Sequence, residues 1–193
     1  MDIIADIRKR ASAAKKTIIL PEKEDSRVRE AVRIIKGEGI ANAMLLGKED
    51  LDKEKVESFS KIFFQLRKAK GITIEEARLR VSDPLYYAAM LVRSGEADGF
   101  VAGAMHSTPN VARAAIYCLG VSEGVSTVSS CFIMVVPDCS FGDDGVLIYA
   151  DCGIVPEPSA RQLSDIAIST GDLAKKVFNI SPRIAMLSYS TKG

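Results

Sequence analysis

The segment between Gly103 and Arg113 combines three features that favour binding of an anion. A glycine permits a tight turn, Ser107 and Thr108 place hydroxyl donors at a helix start, and an arginine follows further along the helix. The free N–H groups and dipole of a helix start attract phosphate, and a guanidinium binds phosphate through parallel hydrogen bonds. An ordinary strand–helix junction, with Thr108 as the helix cap and Arg113 in solvent, fits the same spacing. Both interpretations are open at this point.

A second basic cluster lies in the segment QLRKAKG, where Arg67, Lys68 and Lys70 come near the predicted end of a helix. Cations at a helix C-terminus interact favourably with the helix dipole, so solvation and this contact explain the cluster without a ligand. The same side chains are also suited to grip the phosphates of a nucleotide-like ligand.

The segment SYSTKG places Ser190, Thr191 and Lys192 directly after a predicted strand. It is not a P-loop, because the order of glycine, lysine and hydroxyl residue is reversed and the first glycine is missing. A phosphate-binding loop of another type and an ordinary turn both fit the segment.

His106 is the only histidine, and the four cysteines form no CxxC pair, so we expect no metal site. The imidazole would suit general acid–base chemistry, since its reference pKa of about 6.5 lies close to neutral pH. A loop residue hydrogen-bonded to the backbone is the simpler alternative. The cysteines are expected to pack in the core, with the exception of Cys139 in a polar turn.

Composition excludes several classes of function. The 193 residues include 26 Lys+Arg and 25 Asp+Glu, so a net charge of +1 offers no global field for nucleic acid or an anionic membrane. No apolar run approaches the ~18 to 20 residues of a membrane span. Asp6 and Arg8 interrupt the region that a signal peptide would keep apolar. We therefore expect a cytoplasmic protein without nucleic-acid or membrane partners.

The elements that must position these residues alternate between strands and helices. We predict strands at 17–20, 43–47, 99–103, 125–136, 145–151 and 183–190. We predict helices at 2–15, 26–39, 54–71, 84–94, 109–119 and 158–178, and one more after the capping box TIEE at 73–76. Continuous apolar strands between helices are typical of a parallel sheet covered on both faces. The strands at 125–136 and 145–151 are joined by a short polar turn, so an antiparallel pair also fits them.

The chain ends directly after a predicted strand. In a doubly wound fold a functional loop and a helix would follow there. We therefore expect the sequence to be a fragment of a longer protein.

Four segments resemble the phosphate acetyltransferase (phosphotransacetylase) family, which also includes phosphate butyryltransferase: ADGFVAGAMHSTPNVAR, VSSCFIMVVPDCSFGDDG, YADCGIVPEPSARQLSDIAI and AMLSYSTKG. The resemblance begins at the N-terminal helix and IILPEKED and runs to the last residue. It implies transfer of an acetyl group between coenzyme A and phosphate, with coenzyme A as a substrate, no permanently bound cofactor and no active-site metal. It also implies a homodimer.

The same resemblance implies an α/β fold of two domains with a substrate cleft between them. It maps a parallel-sheet, three-layer first domain onto residues 1–140 and the beginning of a second, inserted α/β domain onto 141–193. The segment between Gly47 and Arg67 looks shorter than in the family by a strand–helix unit.

The resemblance also assigns binding residues. Arg67 in QLRK and Arg113 in NVAR match family arginines, and we expect both to contact phosphates of coenzyme A. The other residues assigned to substrate or anion binding are Ser107, Thr108, Ser129, Ser190, Thr191 and Lys192. The family's Ser-Arg pair and catalytic Asp would lie downstream of Gly193, so we assign no catalytic residue here and expect the 193 residues alone to be nearly inactive.

Three alternatives accompany this interpretation. Phosphate butyryltransferase differs from it in the acyl pocket, and a non-catalytic acetyl-coenzyme A sensor would lack the downstream catalytic groups. The third alternative is a truncated structural remnant of a family protein that assembles only with a partner.

Overall fold

Three short apolar segments form the parallel sheet of a computed structural model that describes residues 3–187. The strands are β1 (Thr17–Leu20), β2 (Asn42–Leu45) and β3 (Gly99–Phe100), in the order β2-β1-β3. Thr17 lies opposite Asn42, and Ile18 lies opposite Gly99. The predicted parallel sheet is therefore confirmed.

β3 is shorter than the expected strand at 99–103. Val101 still donates its N–H to the carbonyl of Ile19, at 2.9 Å, but its side chain is exposed. Gly103 then adopts a φ of +124°, which glycine reaches without strain. The strand ends because the N–H groups from Gly103 onward donate to the carboxylate of Glu22 rather than to a neighbouring strand.

Six α-helices occur in the same part of the chain as the sheet: α1 (Ile3–Ala14), α2 (Ser26–Gly37), α3 (Lys53–Arg67), α4 (Ile74–Val81), α5 (Pro84–Arg93) and α6 (Thr108–Cys118). Single turns of 3₁₀-helix occur at Lys48–Asp50 and Lys68–Lys70. The predicted capping box of α4 is confirmed, because Thr73 and Glu76 bond each other's backbone N–H. Asp83 caps α5 ahead of Pro84. At α2 the cap is Asp25, whose carboxylate accepts from the N–H of Arg27.

The sheet is covered on both faces. Ile19 and Leu20 are consecutive in β1 and therefore point to opposite sides. Ile19 packs in a core with Phe63 of α3 and Leu85 of α5. Leu20 packs on the other face against Val32 of α2. The expected three-layer arrangement is present.

The remaining elements are two strands and a long helix. β4 (Cys131–Val135) and β5 (Val146–Ala150) pair antiparallel, with Cys131 opposite Ala150, and α7 (Ala160–Phe178) packs on β5. The antiparallel alternative is therefore confirmed. β4 begins later than the expected residue 125, because the N–H groups of Ser126 and Ser130 donate to the carboxylates of Asp165 and Asp151.

The strand predicted at 183–190 does not form in its described part, residues 183–187. The backbone groups of a strand need a neighbour, and no described strand pairs with this segment. Ile184 and Met186 are 54% and 53% exposed. Residues 188–190 lie outside the described part of the chain.

The chain divides into two compact units. The first comprises Ile4–Gly120, and Val121 begins the second. In this chain the second unit begins before residue 140, because β4 pairs with β5 and not with the parallel sheet. The domain boundary at 140 stays a prediction for the longer protein. Between residues 3 and 187, no helix is both long and apolar enough to cross a membrane.

Candidate functional site

A cavity of about 1040 Å³ lies at the carboxyl ends of the three parallel strands. Residues 21–24 follow β1, residues 46–48 follow β2, and residues 105–106 come after β3. Side chains of α3, α4, α5 and α6 complete the walls. Open α/β sheets bind ligands at this end of their strands. We call this cavity the strand-end pocket.

The strand-end pocket has a surplus of positive charge. Its five basic residues are Lys23, Lys48, Arg67, Lys70 and Arg80. Lys23 is neutralised by Asp50 and Glu49, whose hydrogen bonds raise the pKa of its ammonium group. The other four form no ion pair with a carboxylate among the described residues. Unpaired cations around a cavity of this size suit a ligand that carries phosphates.

Three of the four acidic side chains in the pocket are engaged in local structure. Glu22 binds the 103–106 turn, Glu76 closes the capping box of α4, and Asp83 caps α5. The fourth acid is Glu24. The carboxylates of the pocket therefore leave the four unpaired cations available to a ligand.

Arg67 enters the pocket from the last turn of α3. Its guanidinium carbon lies 3.9 Å from the ring centroid of Tyr117 on α6. Stacking on an aromatic face holds the guanidinium plane while its edge N–H groups stay able to donate. Lys70 also lines the pocket, whereas the ammonium group of Lys68 donates to the side chain of Gln65, at 2.6 Å.

Arg80, near the end of α4, is a pocket residue that the sequence analysis missed. Its guanidinium donates to the hydroxyl of Tyr86 at 3.3 Å and lies 5.8 Å from the ring centroid. A basic residue in a helix's last turn is ordinary dipole compensation, so the sequence carried no signal for this role.

The predicted group on α6 lies outside the lining of the strand-end pocket. Ser107, not Thr108, occupies the cap position of α6, and it makes no side-chain capping bond. Both hydroxyl residues are exposed. Arg113 is also exposed, and its guanidinium lies 3.4 Å from the amide oxygen of Asn110. Arg113 precedes Tyr117 by four residues, so the two share one face of α6.

The turn at 103–106 does bind an anion, and that anion is the carboxylate of Glu22. The backbone N–H groups of Gly103, Ala104, Met105 and His106 all donate to it, at 2.8 to 3.1 Å. Successive N–H groups that converge in this way form a concave anion site. The backbone donors of this turn are satisfied within the chain.

The Glu22 carboxylate is almost fully buried, and its hydrogen bonds keep it charged. Burial alone raises its pKa, but the N–H groups of His106, Met105 and Ala104 and the His106 ring outweigh burial. Together they lower the pKa of Glu22 from 4.5 to about 2. In the sequence, Glu22 is marked only as a charged residue that follows a buried strand and a proline.

A second carboxylate that accepts several backbone N–H groups lies in the unit that begins at Val121, where Asp151 is half-buried. Asp151 accepts the hydroxyl of Ser130 at 2.7 Å and the N–H groups of Ile154 and Val155 at 2.7 and 2.8 Å. Burial raises its pKa, but these bonds outweigh burial and bring the pKa well below its usual range. The predicted residue Ser129 is the half-buried neighbour of Ser130. Ser190, Thr191 and Lys192 lie outside the described residues.

Comparisons with known proteins give one consistent result. The family model described as "Phosphate acetyl/butaryl transferase" matches residues 2–193. The phosphate acetyltransferase of Acetivibrio thermocellus is 43% identical over 212 aligned positions, which cover 100% of this chain and 64% of that relative. The phosphate acetyltransferase of Thermoanaerobacterium thermosaccharolyticum is 40% identical, with 100% and 65% covered.

A solved structure agrees with these relatives. The phosphotransacetylase from Streptococcus pyogenes superposes with a TM-score of 0.86 at 33% identity. The superposition covers 99% of this chain and 63% of that one. The chain thus spans slightly less than two thirds of the length of the proteins that it matches.

Proposed function

This chain belongs to the phosphate acetyl/butaryl transferase family, and on that premise we propose that its protein transfers an acetyl group between coenzyme A and phosphate. We further propose that the strand-end pocket holds the phosphate groups of coenzyme A. The observation that carries this assignment is Arg67, stacked on Tyr117 at the carboxyl ends of the strands among unpaired cations.

The composition of the pocket supports an organic ligand with several phosphates. Lys48, Lys70 and Arg80 supply charge around Arg67, and coenzyme A carries a diphosphate and a separate phosphate monoester. Ile72, Leu79 and Met105 add apolar surface for the non-phosphate parts of such a ligand. A guanidinium held by stacking binds phosphate with less loss of side-chain entropy than a mobile lysine.

The proposed reaction is direct acyl transfer. The thiol of coenzyme A loses its proton to a base, and its sulfur attacks the carbonyl carbon of acetyl phosphate. A carbon–sulfur bond forms, the carbon–oxygen bond to phosphate breaks, and phosphate leaves with the electron pair. Cations and N–H donors placed in advance stabilise the charge that develops on the leaving oxygen. We assign no base within this chain.

The remaining predicted residues are proposed to bind the second substrate. Ser107 and Thr108 present two hydroxyls at the exposed start of α6. Arg113 on the same helix is proposed to contact a phosphate of coenzyme A. Ser129, Ser190, Thr191 and Lys192 stay predictions for acetyl phosphate or phosphate. The homodimer, the cytoplasmic location and the cleft between domains also stay predictions. Acetyl rather than butyryl transfer is proposed because the reported relatives are phosphate acetyltransferases.

Calorimetric titration of the chain with coenzyme A tests the pocket assignment. We expect saturable binding that Arg67→Ala weakens about ten- to a hundredfold, the effect of losing a charged hydrogen bond. Arg33→Ala is the matched control, because Arg33 pairs with Glu30 on the exposed face of α2. Equal affinity for coenzyme A in wild type and both variants would reject the assignment of the strand-end pocket to this ligand.

The transfer itself is tested by thioester formation from acetyl phosphate and coenzyme A. We expect turnover close to background from these 193 residues, because no base is assigned to them. Turnover well above background would place a base within this chain, and faster turnover with butyryl phosphate would overturn the acyl assignment.

A further inference from the structure

Glu22 and His106 join the ends of β1 and β3 at the wall of the strand-end pocket. The carboxylate oxygen Oε1 of Glu22 lies 2.8 Å from Nδ1 of His106. The Glu22 side chain is 1% exposed, whereas that of His106 is 26% exposed and lines the pocket. The phosphate-binding role proposed above for the pocket does not use this pair.

The contact determines which ring nitrogen carries the proton. An ionised carboxylate has only acceptor sites, so the hydrogen between the two groups must belong to Nδ1 of His106. Glu22 also accepts the four N–H groups of the turn, which fix its position as well as its charge. In the neutral ring, Nε2 is therefore the nitrogen with a free lone pair. No described residue bonds to Nε2.

The charges around the pocket act on this nitrogen in opposite directions. Glu22 favours an imidazolium, and so do the pocket carboxylates Glu24, Glu76 and Asp83. The five basic residues of the pocket, Lys23, Lys48, Arg67, Lys70 and Arg80, oppose it. A phosphate among those cations would neutralise them and would offer Nε2–H an acceptor. Ligand binding and protonation of the ring would then favour each other.

We propose that His106 is a ligand-contacting residue of the strand-end pocket, which takes up a proton at Nε2 and donates it in a hydrogen bond to a ligand phosphate, and that Glu22 is the positioning residue that holds the ring. This inference rests on the proposed function, because it requires a phosphate-bearing ligand in this pocket. The proton comes from solvent, and no covalent bond to the ligand is made.

Calorimetry with coenzyme A in two buffers of different ionisation enthalpy measures the coupling directly. At about pH 6 we expect proton uptake on binding by the wild-type chain and none by His106→Gln. The same variant should bind about tenfold more weakly at about pH 6 and within about twofold of wild type at about pH 8, because the hydrogen bond from Nε2 requires the added proton. Arg33→Ala should keep the wild-type proton uptake.

Since His106 is the only histidine, ¹⁵N-histidine labelling yields one pair of ring resonances. We expect the Nδ1–H tautomer in the free chain and a shift of Nε2 toward the protonated position when coenzyme A is added. Glu22→Gln should lose the single tautomer, because a neutral amide offers the ring both a donor and an acceptor. If Glu22→Gln does not fold, the proton uptake of His106→Gln and the ring resonances of the wild-type chain still test the proposal. His106→Gln is expected to fold, because it keeps the backbone hydrogen bonds to Glu22.

The outcomes separate this inference from the proposed function. Coenzyme A binding without proton uptake, or an Nε2–H tautomer in the free chain, overturns the role of His106 and leaves the pocket assignment intact. Failure of the wild-type chain to bind coenzyme A overturns both.

Discussion

The guanidinium of Arg67 lies over the ring of Tyr117, with 3.9 Å between its central carbon and the ring centroid. This contact joins the C-terminal end of α3 to α6. Stacking occupies the face of the guanidinium and leaves its edge donors able to bind phosphate in the plane. The geometry therefore orients Arg67 before any ligand arrives.

Replacement of either stacking partner should weaken binding of coenzyme A. Arg67→Lys should lose nearly as much affinity as Arg67→Ala, because an ammonium group neither stacks in this way nor binds two phosphate oxygens in one plane. Tyr117→Leu should weaken binding by about two- to fivefold, the value of an exposed cation–π contact. Tyr149→Leu is the control in calorimetric titrations, because the Tyr149 side chain on β5 is exposed and does not line the strand-end pocket. If Arg67→Lys keeps the wild-type affinity, a positive charge at position 67 is sufficient for binding of coenzyme A.

Arg113→Ala should also lower the affinity for coenzyme A, by less than Arg67→Ala. Arg113 lies one turn before Tyr117 on α6 but does not line the strand-end pocket. Among the described residues, its guanidinium hydrogen-bonds only to Asn110, at 3.4 Å, so it can turn toward a bound phosphate. Calorimetric titration of Arg67→Ala, Arg113→Ala and the double variant with coenzyme A measures the two contributions. An effect of Arg113→Ala equal to that of Arg67→Ala would mean that the anion site extends along α6.

Loss of the Glu22 charge should destabilise the chain in acid. Its pKa falls from 4.5 in an unfolded chain to about 2 in the folded one, so its contribution is complete above about pH 4.5 and is lost as the pH falls toward 2. The difference corresponds to about 3 kcal/mol. Urea unfolding across this range should show a steeper loss for wild type than for Glu22→Gln. Glu54→Gln, exposed at the start of α3, should behave as wild type does.

Formate should partly restore the stability of Glu22→Ala. The substitution leaves four backbone N–H groups of the turn and the His106 ring without their acceptor, and a small carboxylate can take its place. We expect the melting temperature of Glu22→Ala, but not of wild type, to rise with formate above the rise with chloride at equal ionic strength. Identical responses to the two salts would mean that the turn rearranges once Glu22 is gone.

Asp151→Asn should destabilise the unit that begins at Val121. The carboxylate accepts bonds from Ser130, Gly153, Ile154 and Val155, and an amide would turn an NH₂ group toward some of these donors. Loss of these charge-assisted bonds should lower the free energy of unfolding by about 1.5 to 3 kcal/mol. Asp172→Asn is the matched control, because Asp172 is exposed on α7 and lies 4.0 Å from the ammonium group of Lys175. Equal unfolding curves for the two variants would contradict a structural role for Asp151.

Local sequence determined much of the secondary structure. The apolar runs at β1 and β2 and the helices between them predicted a parallel sheet, because a strand buried on both faces tolerates few polar residues. The caps at Thr73 and Asp83 were predictable because each bonds to N–H groups within three residues. The match to a known family likewise follows from ordered stretches of sequence.

Tertiary structure alone decided what occupies the turn at 103–106. The spacing of its glycine and hydroxyl residues indicated an anion site but not which anion, because the carboxylate that fills it is 81 to 84 residues earlier in the chain. The contact between Arg67 and Tyr117 is likewise remote in sequence, since packing of α3 beside α6 brings the two side chains together. Hydrogen-bond partners within one helix turn are set by local geometry, whereas these partners depend on how the helices pack around the sheet.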